Sequence, residues 1–319
     1  MKRELCAMFS KLGIAHPDLK AYLALYLVCF VWGITWIASK EAVNFMPPLQ
    51  MAGLRQLLAG LVYFIYFSLR GHALPKGKAW TPILLLAALN FVISNGLNTW
   101  GLKYISAGLG AIIGAIFPLW LVIIETFRNP DRLPRLAYLG LILGFGGILV
   151  IFYEHLADFL NLEFLLGIIL SILATWAWSF GTIYTKAYAQ RFNPYYSIGL
   201  QMLISGTFLS LVSYGSGHVI PLANIPGNAW IAIGFLAIIS SVFTFIAYVY
   251  ALQQLPTNLV SVYAYINPVV AVITGWLFFG EILTFFLLLG IGITLAGVYL
   301  VNTSFRRQRM GYLPPRNRI

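Results

Sequence analysis

Asn90, Ser94 and Asn98 recur every fourth residue inside an apolar stretch. On a helix that spacing puts all three on one face. Amides and hydroxyls in hydrocarbon are costly unless they meet one another or face a wet cavity. Such a stripe therefore either hydrogen-bonds a polar solute or ties helices together. Moving 150 residues on, the corresponding positions are Ser240, Thr244 and Tyr248, again polar. Two stripes at matched positions describe one polar route across a bilayer; interhelical hydrogen bonding is the alternative. A purely structural scaffold has no need of the doubled track.

Deep aromatics stand near these stripes. Trp32, Trp36 and Trp178 lie well inside apolar runs, whereas tryptophan in membrane proteins usually marks the interface. Each alone reads as core packing. Together with Tyr248, Tyr263 and Tyr265 they describe a pocket with apolar walls and a few hydrogen-bonding tips, suited to a small amphiphilic or aromatic solute. Arg55 is the only cation within an apolar segment. Its side chain either reaches outward to the interface or backbone carbonyls, or it meets a substrate carboxylate. Pro118 and Pro268 each remove a backbone hydrogen bond mid-helix and are candidate hinges. The candidate substrate-binding set is thus Trp32, Trp36, Arg55, Asn90, Ser94, Asn98, Trp178, Ser240, Thr244, Tyr248 and Tyr265.

No catalytic residue, metal site or cofactor is expected. His16, His72, His155 and His218 all fall in loops or the N-terminal segment, and no nucleophile–base pair or metal-binding run occurs. An intramembrane enzyme is the weaker reading. There is no phosphate-binding Gly-rich loop and no soluble domain to hold one.

The elements that carry these residues are membrane helices. The chain is 60% hydrophobic and 9% charged over 319 residues, more apolar side chain than a soluble domain can bury. The apolar runs predict ten spans, at 21–39, 49–69, 80–101, 104–127, 134–153, 164–188, 195–214, 229–251, 257–279 and 282–302. With the N-terminus inside, 17 lysines and arginines fall in inner loops or termini, and only Lys40 and Lys103 fall outside. That asymmetry predicts both termini in the cytoplasm. It also explains the net charge of +11 without any nucleic-acid partner.

The sequence repeats itself. A shift of 150 residues brings Leu102 onto Leu252, Pro118 onto Pro268, Asp131 onto Glu281, Gly140 onto Gly290 and Gly147 onto Gly297; a shift of 146 brings Trp32 onto Trp178, Lys40 onto Lys186 and Gly60 onto Gly206. The predicted organisation is an N-terminal segment 1–20, five-helix repeats at 21–153 and 164–302, and a basic tail 303–319. An odd number of spans per repeat turns the second copy upside down. Asp131 and Glu281 read as helix-start residues. The runs from Gly110 to Gly114 and from Gly140 to Gly144 read as faces where backbones approach closely.

Trp32-Gly33, Leu54-Arg55, Leu57-Leu58-Ala59, the run Leu102 to Pro118 with its copy Leu252 to Pro268, and Phe279-Gly280-Glu281 together resemble the EamA family of the drug/metabolite transporter superfamily. The resemblance covers residues 20–302. It implies ten spans around a central cavity, with helices 1–4 and 6–9 lining or supporting it and helices 5 and 10 peripheral. It also implies export of amino acids or other small metabolites from bacteria. Helices 4 and 9 lack the central cations of the sugar-phosphate translocator branch, and helix 1 lacks the glutamate of the four-span multidrug relatives. The expected function is an exporter of a small metabolite across the cytoplasmic membrane by alternating access, with lipid or drug transport as the alternative. Its expected partners are a small-molecule substrate and the lipid bilayer, and a monomer suffices.

Overall fold

The computed structural model describes residues 19–128, 135–154, 156–188, 192–255, 260 and 262–311. Asp131 and the tail beyond Gly311 lie outside these residues. Among the described residues all regular structure is helical. In chain order the helices are α1 (Leu19–Phe45), α2 (Pro48–Leu69), α3 (Gly77–Gly101), α4 (Ala107–Ala115), α5 (Phe117–Arg128), α6 (Arg135–Glu154), α7 (Leu162–Tyr188), α8 (Pro194–Gly215), α9 (Gly227–Gln254), α10 (Tyr263–Phe279) and α11 (Phe285–Gly311). Among the described residues seven helices are long and apolar enough to cross a membrane, and the stretches 107–121, Tyr263–Phe279 and Phe285–Val301 are shorter and apolar, the first of them interrupted at Ile116. Exposed leucine, isoleucine and phenylalanine side chains cover their outer faces. This is a multi-pass membrane protein.

Local chemistry sets the boundaries. Pro48 and Pro194 each open a helix at its first position, where a missing N–H costs nothing. Asn193 caps α8 by accepting from the N–H groups of Tyr195 and Tyr196. Gly280 ends α10 in the left-handed region at φ 66°, and the Glu281 N–H returns to the Gly275 carbonyl, closing the helix end.

Two expectations for these helices need correction. The predicted span 104–127 is not one helix: it breaks at Ile116, and Pro118 lies in the first turn of α5. Pro268, by contrast, lies inside a continuous α10. The third and ninth helices are not α-helical throughout, because Ala87–Asn95 and Phe235–Phe243 wind as π-helix. The wider turn moves every later side chain around the axis relative to an α-helical count.

Two close helix pairs organise the bundle. Where α2 meets α8, a methyl group on Gly60 would lie 3.0 Å from the Gly199 carbonyl oxygen, and one on Gly206 would lie 3.0 Å from that of Gly53. Where α6 meets α11, a methyl group on Gly140 would lie 2.7 Å from the Gly297 carbonyl oxygen, and one on Gly290 would lie 2.6 Å from that of Gly147. In both pairs, residue numbers rise along one helix as they fall along the other, so the partners are antiparallel. In both, each contact recurs with the roles exchanged between positions 146 or 150 residues apart. Bare glycine is what lets the backbones meet. The Gly110–Gly114 face serves a different purpose, since it accommodates the ring of Trp36 and not another backbone.

Glu281 does not start its own helix. Its carboxylate accepts from the N–H groups of Ala107 (2.9 Å) and Gly108 (3.2 Å), the open end of α4. The absent side chains of Gly108 and Gly275 leave room for it. An anion at a helix N-terminus satisfies orphan donors and meets the positive end of the dipole. Glu281→Ala is expected to cost about 1–2 kcal/mol of stability, read as a lower melting temperature in detergent. An unchanged melting temperature would show that the contact contributes nothing.

A candidate solute cavity

Eight helices line a cavity of about 170 Å³ in the bundle. Helix α1 contributes Trp32, Thr35, Trp36 and Ser39, one stripe at helical spacing. Helix α3 contributes Asn90, Phe91, Ser94, Asn95, Asn98 and Thr99, and α2 contributes Arg55. The remaining wall is Ala111, Gly114, Ala115 and Phe117 from α4 and α5, Ala174, Thr175 and Trp178 from α7, Phe245 from α9, and Tyr263, Ala264 and Asn267 from α10. Asn90, Ser94 and Asn95 lie in the π-helical stretch and share this face with Asn98 and Thr99.

Arg55 is the only cation of the wall among the described residues, and it is 5% exposed. It does not reach outward, so the interfacial reading is overturned. Its Nε donates to Ser241 Oγ at 2.9 Å and a terminal nitrogen donates to Ser240 Oγ at 3.2 Å. The Ser240 hydroxyl also pairs with Thr35 Oγ1 at 2.8 Å. Hydroxyl oxygens orient a guanidinium without neutralising it, and five N–H donors exceed two acceptors. Among the described residues no carboxylate pairs with Arg55. A buried cation balanced only by dipoles favours an anionic visitor.

The amides are held from behind. Gln56 Nε2 donates to Asn95 Oδ1 at 3.0 Å. The amide nitrogen of Asn267, oriented by its surroundings, reaches the carbonyls of Tyr263 (3.0 Å) and Cys29 (2.9 Å). Asn90 packs its amide directly on Gly181, where a side chain would collide with Oδ1. The aromatic part centres on Trp32. Its ring lies 5.1 Å from Phe245, 5.0 Å from Tyr248, 5.1 Å from Tyr263 and 6.4 Å from Trp178. Interlocked edge-to-face rings make a stiff apolar platform.

Of the residues singled out by sequence, Trp32, Trp36, Arg55, Asn90, Ser94, Asn98 and Trp178 come together on this wall. Four others stand elsewhere. Ser240 is wholly buried behind the wall as a ligand of Arg55. Thr244 is wholly buried and bonds back to the Ile239 carbonyl within its own helix. Tyr248 stacks behind Trp32. Tyr265 donates to the Val298 carbonyl at the α10–α11 contact, far from any solute route. The helix α9 stripe thus does not line this cavity, because α9 turns that face onto Thr35, Arg55 and Trp32. Asn267, Phe245 and Ala264 were missed. The internal repeat carried a signal for them, since they are the 150-residue counterparts of Phe117, Asn95 and Gly114, which also line the wall.

Several known proteins share this plan. The uncharacterized transporter YvbV of Bacillus subtilis (strain 168) is 28% identical over 92% of this chain and 95% of its own length. The uncharacterized inner membrane transporter YedA of Escherichia coli (strain K12) is 30% identical over 88% of this chain and 89% of its own. The chloroplastic WAT1-related protein At3g02690 of Arabidopsis thaliana is 28% identical over 86% of this chain and 67% of its own. A solved crystal structure superimposes with a TM-score of 0.66 at 17% identity, covering 90% of this chain and 98% of that one, a likeness of fold. The profile of the EamA-like transporter family matches twice, at residues 19–153 and 165–303. Membrane helices, a doubled architecture in the profile match and transporter relatives along nearly the whole length place the chain in the EamA-like transporter family.

Proposed function

We propose that this protein is a secondary transporter that exports a small amphiphilic metabolite of the amino-acid type across the cytoplasmic membrane by alternating access. The observation that carries this reading is Arg55: a buried guanidinium with no carboxylate partner among the described residues, set in a wall of amides and indoles. A carboxylate would take the free N–H donors, asparagine amides would meet an ammonium or hydroxyl, and Trp32, Trp36 and Phe245 would hold the apolar part.

The transport cycle rests on ten spans with both termini in the cytoplasm, built as inverted repeats at 21–153 and 164–302. The exchanged glycine contacts of α2–α8 and α6–α11 support this. A two-fold relation between antiparallel partners has its axis perpendicular to the helices, hence in the membrane plane. A cavity lined by the α3 stripe and not by its α9 counterpart is then one of two end states. In the other, Ser240, Thr244 and Tyr248 would face the solute, with the chain bending near Pro118 and Pro268.

Purified protein should gain thermal stability from its solute by mass action. A screen of amino acids and related carboxylates in detergent would identify it, and uptake into liposomes would follow. Asn90→Leu and Trp178→Ala are each expected to reduce transport about tenfold or more; full activity in both would remove this cavity from the route. If lipids or dyes stabilise the protein and no carboxylate does, the alternative of lipid or drug transport takes its place. Cysteines at Ser94 and Thr244 test the cycle. Saturating solute gradients of opposite direction should change their labelling in opposite senses, and parallel changes would contradict alternating access.

A further inference from the structure

A second, larger hollow of about 500 Å³ lies at the end of the bundle where α1 turns into α2 and where α3 and α8 terminate. Its floor is apolar, made by Val43, Met46, Pro47, Leu49 and Val212. Its polar groups include two basic side chains, Lys103 and His218, and, among the described residues, no carboxylate. The Lys103 ammonium lies 5.8 Å from the Tyr104 ring centroid and pairs with no acid among the described residues. The rim is built firmly. Gln50, 6% exposed, exchanges two hydrogen bonds with the backbone of Ile220, at 2.7 and 3.0 Å. Ser213 donates to the His218 carbonyl at 2.6 Å.

The hollow does not end at the rim. Val212, on its floor, is 39% exposed, and Phe208 one turn earlier on the same face of α8 is 51% exposed. The apolar floor therefore runs onto the outer surface of α8, which a bilayer would coat. Trp100 and Tyr104 stand at this end of the helices, the usual headgroup level for such rings. A site with an ammonium and an imidazole at the headgroup level and an apolar groove leading into the hydrocarbon matches one occupant.

We propose that this hollow binds an anionic phospholipid, its phosphate against Lys103 and His218 and one acyl chain along Val212 and Phe208. Positive charge near a headgroup selects anionic over zwitterionic lipid by charge, and the groove supplies affinity that a free phosphate cannot gain. This assignment is independent of the solute carried in the central cavity.

Trp100 reports on the site. The full chain would be reconstituted in phosphatidylcholine vesicles containing brominated phosphatidylglycerol or, in parallel, brominated phosphatidylcholine. Subtracting the quenching of Trp100→Phe isolates the Trp100 signal. Brominated phosphatidylglycerol is expected to quench it at roughly five-fold lower mole fraction, the preference one cation gives near the surface. Lys103→Glu should abolish that preference and Lys103→Arg should keep it, with unchanged melting temperatures for both exposed substitutions. Equal quenching by the two lipids overturns the proposal, as does a preference that survives in Lys103→Glu combined with His218→Gln. Inorganic phosphate at millimolar concentration that removes the preference would also overturn it, by making the site one for a free anion.

Discussion

Arg55→Gln is expected to weaken solute binding at least about 30-fold while leaving the empty protein as stable as before or more so. The two halves of this result have separate causes. A carboxylate docked on a buried guanidinium gains charge-assisted hydrogen bonds in a place where water cannot compete, and losing one partner of such a pair typically costs 2–5 kcal/mol. The empty protein, by contrast, holds a cation whose partners are two serine hydroxyls. Its desolvation cost is of the order of several kcal/mol and hydroxyl dipoles offset only part of it. Glutamine removes the charge and can still donate to a serine. Arg55→Lys should be intermediate at best, because an ammonium lacks the planar fork that meets a carboxylate with two bonds. The measurements are a binding isotherm for the solute found by thermal shift and the melting temperature without it. Unchanged affinity with a lowered melting temperature would make Arg55 a structural tie between α2 and α9 and would refute the reading of the cavity.

Gly147→Ala and Gly146→Ala are adjacent in sequence and are expected to differ sharply in stability. A methyl group on Gly147 would meet the Thr294 nitrogen at 2.5 Å and the Gly290 carbonyl oxygen at 2.6 Å. Both are backbone atoms of α11, so no side chain can move aside, and the helices must part along the seam. Overpacking of this kind costs about 1–3 kcal/mol, and the loss should sit at the upper end because the opposing surface is rigid. Nothing lies within 4 Å of a methyl group on Gly146. There alanine should be neutral or slightly stabilising, since it forms helix better than glycine. The comparison is read from the temperature at which each variant loses its monodisperse peak. Similar melting temperatures for the two would mean that α6 and α11 are not packed through their glycines.

The same glycines show how far the sequence could be read. Gly140 and Gly144 were legible as a close-approach face, because small residues four apart have few other uses in a membrane helix. Gly110 and Gly114 have the same spacing, yet they receive the Trp36 ring. Spacing identifies a flat face but does not name what lies on it. Glu281 illustrates a related limit. Its place before a helix suggested a local cap, whereas its carboxylate caps α4, some 170 residues away in the chain. Local position cannot reveal a partner brought there by folding.

Membrane residence, most of the apolar helices, the self-match at shifts of 146 and 150 residues and the polar spacing along α3 were legible in the sequence alone. Each depends on local composition or on self-comparison: a run of apolar residues must lie in lipid, and amides within it must find a polar surface. The direction each polar face turns was settled only by the tertiary structure. Two π-helical segments rotate the residues beyond them, and the packing of α9 on α1 and α2 buries Ser240 and Thr244 while α3 keeps Asn90 and Ser94 on the cavity. Rotation about a helix axis is fixed by contacts distant in the chain, and no short stretch of residues encodes it.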